Sequence, residues 1–216
     1  MTPRQTLLQT VAARILRTPS AFVLRVAVDG VDGAGKTTFA DELAEVLGVS
    51  GREVIRASVD GFHHPKEVRY RLGQGSPEGF YRDSYDYGAF RNGLLDPLSP
   101  GGSGRYRTAV HDVEAEKPVE VPERQAEPGA VLLLDGVFLH RPELRGYWDV
   151  SVWLGVAFSV SVPRMAARDG SSPDPYAPKH RRYVEGQKLY LLEATPQRYA
   201  TLVIDNNDLD APFIAE

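Results

Sequence analysis

Eight consecutive residues near the amino terminus have the composition and spacing of a phosphate-binding loop (P-loop). They fit the pattern G-x-x-x-x-G-K-[ST] and are Gly30, Val31, Asp32, Gly33, Ala34, Gly35, Lys36 and Thr37. Glycines allow backbone turns in which successive N–H groups converge on phosphate oxygens. A lysine at this position reaches the β- and γ-phosphates of a nucleotide, and the hydroxyl that follows it holds Mg²⁺. We therefore predict that these eight residues and Thr38 bind ATP with magnesium.

The segments on either side of this loop have the patterns that it requires. Residues 22–28 are mostly apolar and β-branched, which is typical of a buried strand, and residues 36–47 have helical spacing. The amino end of such a helix presents unpaired N–H groups and the positive end of its dipole to a phosphate. The alternative, a glycine-rich turn with a chance lysine, is disfavoured by this order of strand, loop and helix.

The rest of the chain predicts the sheet to which this loop belongs. Further strands are predicted at residues 53–58, 130–134, 150–154 and 200–204. The segment at 130–134 is apolar without alternation, as expected for a strand covered on both faces. We therefore predict an α/β fold, a P-loop NTPase three-layer sandwich with a mainly parallel five-stranded sheet, in one domain over residues 1–216. Ligands gather at the carboxyl ends of such strands, which places Asp60 and Asp135 beside the loop.

Composition excludes several classes of protein. The chain has 216 residues, a net charge of -4 and no cysteine, so it offers no general attraction to nucleic acid and no disulfide or zinc-thiolate site. No apolar segment approaches the ~20 residues needed to cross a bilayer, and residues 1–18 have the spacing of a packed helix rather than of a targeting peptide. We expect a cytoplasmic protein with a small-molecule substrate and without nucleic-acid or membrane partners. A monomer and a homo-oligomer are both compatible with the sequence.

One long interval, approximately residues 61–128, interrupts the alternation of strands and helices. It is rich in Gly, Pro, Tyr, Arg and Asp, and it contains a predicted short helix at residues 88–95 and a predicted hairpin. Loops of this length in compact domains are usually functional or disordered, and the aromatic content favours function. We predict that this interval is an insertion that binds the second substrate.

Several segments resemble the uridine kinase group of P-loop kinases, which also includes phosphoribulokinase and pantothenate kinase. They are Asp60-Gly61-Phe62-His63, the aromatic run at residues 80–90, Tyr106 with His111, and the strand-like segments at 132–136 and 199–204. The resemblance covers most of the chain. It implies transfer of a phosphoryl group from ATP to the 5′-hydroxyl of a pyrimidine nucleoside such as uridine or cytidine.

In uridine kinases an acidic residue in a D-x-F-[YH] pattern activates the nucleoside hydroxyl and lies near Mg²⁺, and the matching residue here is Asp60. The chemistry needs an acceptor there because the alcohol loses its proton as it attacks phosphorus. Asp60 and Lys36 are thus the predicted catalytic residues, and Phe62 and His63 are predicted to line the acceptor pocket. The alternative for Asp60 is a turn or helix cap.

The resemblance also implies residues that recognise the sugar and the base. Tyr85 and Asp86 correspond to an aromatic-Asp pair before a short helix, and Tyr106 and His111 correspond to a Tyr and a His on a hairpin. Asp83 is an alternative to Asp86 for the sugar hydroxyls. These residues suit a pyrimidine ribonucleoside, although a tyrosine-rich core also accounts for the aromatic residues.

The hairpin departs from the uridine kinase pattern. Arg107 stands where that pattern has Asp, and Asp112-Val113 stands where it has Ser-Arg. A kinase of the same fold that acts on another primary alcohol, such as pantothenate or a sugar, is therefore the main alternative. Pantothenate would require a cation, and Arg107 is the one residue of the predicted pocket that could provide it.

Two further features complete the predicted site. Asp135 ends a strand where P-loop proteins place an acid that contacts Mg²⁺, and its short side chain favours a contact through water; the alternative is a turn aspartate. Residues 164–182 resemble a kinase lid, whose arginines close over the phosphates. We predict that Arg164 and Arg168 do so in preference to the arginines at 181–182.

Other nucleotide-binding classes fit the sequence less well. A regulatory GTPase would carry an N-K-x-D motif, whereas residues 206–208 are Asn-Asn-Asp. An ATP-driven machine would have adjacent acids after its third strand, whereas Asp135 is followed by Gly136. A non-catalytic nucleotide-binding module is the remaining alternative, and the sequence leaves the preference for ATP or GTP open.

Overall fold

The computed structural model describes residues 1–215; Glu216, the last residue of the predicted domain, lies outside the described residues. The helices are α1 Pro3–Arg17, α2 Lys36–Gly48, α3 Lys66–Arg69, α4 Pro77–Asp83, α5 Tyr87–Phe90, α6 Phe158–Asp169, α7 Arg181–Ala194 and α8 Pro196–Tyr199. The strands are β1 Leu24–Gly30, β2 Val54–Ser58, β3 Arg105–Tyr106, β4 His111–Asp112, β5 Lys117–Pro118, β6 Arg124–Gln125, β7 Val131–Gly136, β8 Val150–Gly155, β9 Leu202–Asp205 and β10 Phe213–Ile214.

The main sheet has the strand order β10-β9-β8-β1-β7-β2. All its pairings are parallel except that of β10 with β9. Every residue of β1 and β7 is buried, which agrees with their apolar sequences without alternation. The predicted α/β fold is confirmed, but the sheet has six strands rather than five. The sixth strand, β10, has two exposed residues, too few to produce a periodic pattern in the sequence.

Helix α1 confirms the helix predicted for the first residues. Thr2 and Gln5 form a capping box, and Pro3 occupies the first helical turn. One face buries Leu7, Leu8, Val11, Ala12 and Ile15. The opposite end of the chain is tied to this helix, because the Arg4 guanidinium donates to the backbone oxygen of Leu209 at 3.3 Å.

The insertion contributes to the same hydrophobic core as the sheet, since Phe62, Phe90 and Leu94 are fully buried in it. The predicted helix at 88–95 is α5 followed by a π-helical turn, Arg91–Leu95. The interval contains a hairpin, as predicted, because β4 and β5 pair antiparallel across the loop at 113–116. However, β3 pairs with β6, so Tyr106 and His111 lie on two separate short ribbons rather than on one hairpin. No helix in residues 1–215 has the length and hydropathy of a membrane span.

Candidate active site

The P-loop connects β1 to α2 with the geometry of an anion site. Gly33 and Gly35 have φ values of 73° and 84°, in the left-handed region that favours glycine. Gly35 is the N-cap of α2 and makes no side-chain cap hydrogen bond. The first N–H groups of this 13-residue helix therefore lack the partner that a cap would supply, and they are available to a phosphate.

The loop is held in this shape from two directions. A Cβ on Gly33 would overlap the carbonyl oxygen of Ser161 in α6, so this close approach requires glycine. On the other side, the buried amide of Asn206 donates to the Ala34 oxygen at 2.7 Å. The Lys36 ammonium lies across the loop and donates to the Val31 oxygen at 2.9 Å.

Asp135 at the end of β7 lies beside the first turn of α2. Its Oδ2 accepts a hydrogen bond from the Thr37 hydroxyl at 2.8 Å, and its Oδ1 pairs with the Arg56 guanidinium at 3.0 Å. The carboxylate is 2% exposed, so Arg56 compensates a charge that would otherwise be buried alone. Two of the three predicted metal-binding residues, Thr37 and Asp135, are thus in direct contact with each other.

Two cavities open at this edge of the sheet. The first, of about 380 Å³, contains the P-loop side chains and we call it the nucleotide cavity. The second, of about 440 Å³, lies between the insertion, the end of α6 and the start of α7, and we call it the acceptor cavity. Both cavities are lined by Asp32, Asp60, Tyr85, Met165 and Arg168. These shared residues mark the junction of the two cavities.

Asp60 is the exposed carboxylate at this junction. It follows β2 in a 3₁₀ turn, and its Oδ1 accepts a hydrogen bond from the buried Tyr85 hydroxyl at 3.0 Å. The Tyr85 ring packs on the ring of His63 with centroids 4.4 Å apart, and the His63 Nδ1 lies 2.9 Å from the Asp60 backbone oxygen. Burial raises the pKa of Tyr85 well above its usual value and lowers that of His63, so both rings are neutral at pH 7.

Asp32 of the P-loop faces the same junction and is fixed by α7. Its N–H donates to the Gln187 side-chain oxygen at 2.6 Å, and the Gln187 amide donates to its carboxylate at 3.2 Å. Burial raises the pKa of Asp32, Lys36 opposes this effect, and the Asp60 carboxylate adds to it. A second contact ties α7 to β1, because the Tyr190 hydroxyl donates to the Asp29 carboxylate at 2.5 Å.

Comparison with solved structures identifies the fold. The chain is similar to a possible uridine kinase from Bacillus stearothermophilus, with a TM-score of 0.73 and 21% identity over 92% of this chain and 97% of that chain. A protein described as a fructose transport system kinase from Silicibacter sp. TM1040 gives a TM-score of 0.70 and 21% identity over 87% and 95% of the two chains. Phosphoribulokinase from Rhodobacter spheroides gives a TM-score of 0.57 and 15% identity over 86% of this chain and 71% of that chain. The chain has the fold of the uridine kinase and phosphoribulokinase group.

Comparison with known sequences finds a match to a smaller part of the chain. No family model matches the chain. A probable thymidylate kinase from Thermoplasma volcanium is 31% identical over 86 residues. The aligned segment covers 29% of this chain and only 45% of that protein's length. The P-loop kinase fold therefore rests on the structural similarity and not on this short alignment.

The P-loop kinase fold brings some of the predicted acceptor residues together and separates others. His63, Tyr85 and Asp60 line the acceptor cavity, whereas Phe62 is fully buried beneath it against the Phe90 ring. Asp86 does not line either cavity. It caps α5 by accepting a hydrogen bond from the Ala89 N–H at 2.8 Å.

The predicted Tyr and His of the hairpin are also outside the two cavities. Tyr106 is buried, and its strand β3 pairs with β6 near the end of the insertion. Burial raises the pKa of its hydroxyl, and the carboxylate of Glu53, the residue before β2, raises that pKa further. His111 is buried with its Nε2 at 3.5 Å from Glu116. Asp83, the alternative sugar ligand, pairs with Arg71 at 2.8 Å. Tyr106, His111 and Asp83 therefore line neither the nucleotide cavity nor the acceptor cavity.

The two lid arginines predicted to contact phosphate differ in their surroundings. Arg164 lines the nucleotide cavity, but its guanidinium donates to the backbone oxygens of Asn206 and Asn207 at 3.1 and 2.6 Å. Arg168 is exposed at the junction and makes no ion pair within residues 1–215. Arg168 is therefore the arginine that is free to meet a phosphate.

Sequence reasoning missed most of the acceptor cavity. Its lining includes Arg69, Tyr70, Lys179, Arg182 and Tyr183. The interpretation that Arg107 is the one available cation is wrong, because Arg107 lies outside both cavities. Four other cationic residues line the acceptor cavity: Arg69, Arg168, Lys179 and Arg182. No local sequence pattern marks Arg69 and Tyr70, which lie at the end of the four-residue helix α3. The predicted lid includes Arg182, but the prediction favoured Arg164 and Arg168 over it. Only the structure shows that Arg182 is buried and lines this cavity.

Proposed function

We propose that the protein is a kinase that transfers the γ-phosphoryl group of ATP to a hydroxyl group of a small molecule. The observation that carries this proposal is the position of Asp60, a carboxylate that lines both the nucleotide cavity and the acceptor cavity. A group at that junction meets the end of a triphosphate on one side and an alcohol on the other. The P-loop kinase fold supports the same reaction class.

The nucleotide cavity supplies what ATP requires. The free N–H groups at the start of α2 and the Lys36 ammonium would hold the β- and γ-phosphates. Arg168 would neutralise charge on the phosphoryl group as it crosses the junction. Arg164, bound to two backbone oxygens, would instead shape the wall beside the nucleotide.

The residues present also fit Mg²⁺, because the donors available are oxygens. Thr37, Asp135 and Asp60 would hold the ion, with Asp135 acting through water since each of its carboxylate oxygens already accepts a hydrogen bond. When bound, Mg²⁺ supplies positive charge that bridges and neutralises the β- and γ-phosphates. No cluster of three or more His, Cys, Asp or Glu side chains suited to another metal lies within residues 1–215.

Asp60 would act as the general base. Tyr85 donates to its Oδ1, which leaves Oδ2 to accept the proton of the substrate hydroxyl. The hydroxyl oxygen forms a bond to the γ-phosphorus while the bond from that phosphorus to the β–γ bridging oxygen breaks, and ADP leaves. The neutral Tyr85 therefore orients the base without competing for the proton.

A pyrimidine nucleoside is one candidate for the acceptor. The observation that favours it is the contact between the tilted rings of His63 and Tyr85, which both line the acceptor cavity next to Asp60. Asp86, Tyr106 and His111 would not contribute to this site in the present arrangement, since they line neither cavity. The nucleoside assignment thus depends on fewer residues than the sequence indicated.

The test is a screen of phosphate acceptors with coupled detection of ADP, in the wild type and in Lys36→Ala. We expect transfer to at least one small alcohol and a loss of about 10²- to 10³-fold or more in Lys36→Ala, the scale of removing one electrostatic stabiliser of a transition state. Lys188→Ala, an exposed lysine paired with Glu185 on α7, is the matched control and should retain activity. Equal turnover in Lys36→Ala and the wild type would remove the P-loop from the mechanism.

A further inference from the structure

One wall of the acceptor cavity is cationic, although the chain as a whole carries a net charge of -4. Three cationic residues line this cavity without lining the nucleotide cavity: Arg69, Lys179 and Arg182. We call them the cationic wall. Within residues 1–215, Asp169 is the only acidic residue that lines the acceptor cavity without lining the nucleotide cavity. The wall is thus separate from the junction where Asp60 and the phosphates meet.

Arg182 provides a buried charge in this wall. It is 5% exposed, and its guanidinium donates to the backbone oxygens of Arg69 at 3.0 Å and of Ser76 at 3.1 Å. None of its hydrogen bonds within residues 1–215 goes to a carboxylate. A buried cation without a carboxylate partner is costly, and it leaves positive potential in the space that it faces.

Arg69 stiffens the wall. It donates to the backbone oxygen of His64 at 2.8 Å and pairs with Glu116, which offsets part of its charge. The guanidinium groups of Arg69 and Arg182 both contact the Tyr70 ring, at 5.2 and 4.8 Å from its centroid. These two arginines are therefore fixed before any ligand arrives, which lowers the entropy lost on binding.

Lys179 is the exposed member of the wall. It is exposed on the 3₁₀ turn Pro178–His180, which leads directly into α7. It forms no ion pair within residues 1–215. An ammonium group without a partner beside a buried guanidinium is suited to bind an oxyanion between them.

We infer that the acceptor is an anionic alcohol, in which a carboxylate or phosphate group binds the cationic wall while the hydroxyl group faces Asp60. This inference rests on the proposed kinase function and names its class of substrate. The volume of about 440 Å³ is in the range of small-molecule sites. A neutral nucleoside would leave the wall without a counter-charge.

The first experiment measures binding without catalysis. The protein is saturated with a non-hydrolysable ATP analogue and Mg²⁺, so that phosphate-bearing ligands cannot occupy the P-loop. Calorimetry then compares ligands in matched pairs that differ only in the anionic group: panthenol with pantothenate, fructose with fructose 6-phosphate, and glycerol with glycerate and glycerol 3-phosphate. We expect at least one anionic member to bind about 10-fold or more tightly than its neutral partner, the scale of a hydrogen bond to a charged group. The pairs separate carboxylate from phosphate.

The second experiment assigns the preference to the wall. Lys179→Gln removes an exposed charge without disturbing the buried contacts, and it should abolish most of the preference while leaving the affinity for the ATP analogue unchanged. Lys188→Gln, at an exposed lysine on α7 outside both of these cavities, is the matched control. Arg182→Gln is less informative, because Arg182 also ties the chain segment at 69–76 to α7.

The outcomes separate the two proposals. Equal affinity within every pair, tighter binding of uridine than of any anionic ligand, or an unchanged preference in Lys179→Gln would each overturn the anionic acceptor and leave the kinase standing. Tight binding of an anionic ligand by a protein that phosphorylates none of the alcohols screened would overturn the kinase and leave the anion site standing. Phosphorylation of neutral alcohols only would overturn the anionic acceptor.

Discussion

The nucleotide cavity and the acceptor cavity are built in different ways. One continuous segment, residues 30–38, supplies six of the fifteen residues that line the nucleotide cavity. The shape of this segment depends on backbone dihedrals and on N–H groups at the start of α2. The acceptor side collects side chains from distant segments, at 60–63, 69–70, 80–85 and 179–183. Those segments are connected by side chains such as Arg182, whose guanidinium binds backbone oxygens of Arg69 and Ser76.

This difference separates chemistry from specificity. In the proposed reaction, the binding of phosphate would depend on a local backbone shape that tolerates few substitutions, because Gly33 lies against α6. Recognition of the second substrate depends on side chains that can change one at a time without disturbing the P-loop. The same fold can therefore serve different alcohols.

Asp60→Asn breaks the junction between the two sides and should have the largest effect. We expect kcat to fall by about 10²- to 10⁴-fold with the acceptor KM changed by a small factor, because the amide keeps the hydrogen bond from Tyr85 but cannot accept the substrate proton. Steady-state kinetics on the best acceptor give the answer. Asp112→Asn is the control, since Asp112 only accepts hydrogen bonds from the N–H groups of Glu114 and Ala115. A near-normal kcat in Asp60→Asn would make Asp60 a structural cap.

Gly33→Ala tests whether the nucleotide side is a packed backbone structure. A Cβ at this position would overlap the Ser161 oxygen, and φ is already in the left-handed region. We expect a loss of about 2–4 kcal/mol in the free energy of unfolding, from the left-handed conformation and the overpacking together.

Gly51→Ala is the matched control for Gly33→Ala. Gly51 has a φ of 78°, but a Cβ there would have no neighbour within 4 Å. Gly51→Ala should lose only the backbone contribution to the free energy of unfolding, about 1–2 kcal/mol. Urea unfolding of both variants isolates the packing contribution, and equal losses would show that the P-loop is not constrained by α6.

Gln187→Ala tests whether the two sides are coupled. Gln187 holds Asp32 of the P-loop, and it lies on the same helix as Arg182 of the cationic wall. We expect the acceptor to bind about 5-fold or more tightly in the wild type when an ATP analogue is bound, and this coupling to fall towards one in Gln187→Ala. Calorimetric titrations with and without the analogue measure it. Coupling that persists in the variant would assign it to another contact.

Asp32→Asn should have the smallest effect, and a pH-dependent one. Burial raises the pKa of Asp32 in the folded protein above its value in the unfolded chain. The free energy of unfolding therefore falls as pH rises from the pKa of the unfolded chain to that of the folded protein, and the loss persists at pH 7. Asparagine removes it while keeping the contacts with Gln187. We expect the melting temperature to rise at pH 7 by no more than about 4 °C. The rise should shrink as pH falls towards 4, and thermal melts across this range check the sign.

The nucleotide side was predictable from the sequence and the acceptor side was not. The glycine pattern between a buried strand and a helix specifies the P-loop locally, so β1 and α2 begin and end within two residues of the predicted bounds. Arg69, Lys179 and Arg182 meet only after segments more than 100 residues apart have packed together, and no periodic pattern records that contact. Asp86 and Tyr106 matched a family motif, but the local turn and ribbon geometry directs them elsewhere.

The order of strands in the sheet has a consequence for biosynthesis. β1 carries the P-loop, yet its two hydrogen-bonded neighbours are β7 and β8, which begin at Val131 and Val150. At ribosomal speeds the intervening hundred or so residues take about 5–20 s to synthesise, and during that time an apolar strand has both edges unpaired. We expect nascent chains arrested before β7 to be protease-sensitive and bound by chaperones, and chains released beyond β8 to become resistant. The P-loop is thus synthesised early, whereas the strands that flank β1 are synthesised about a hundred residues later.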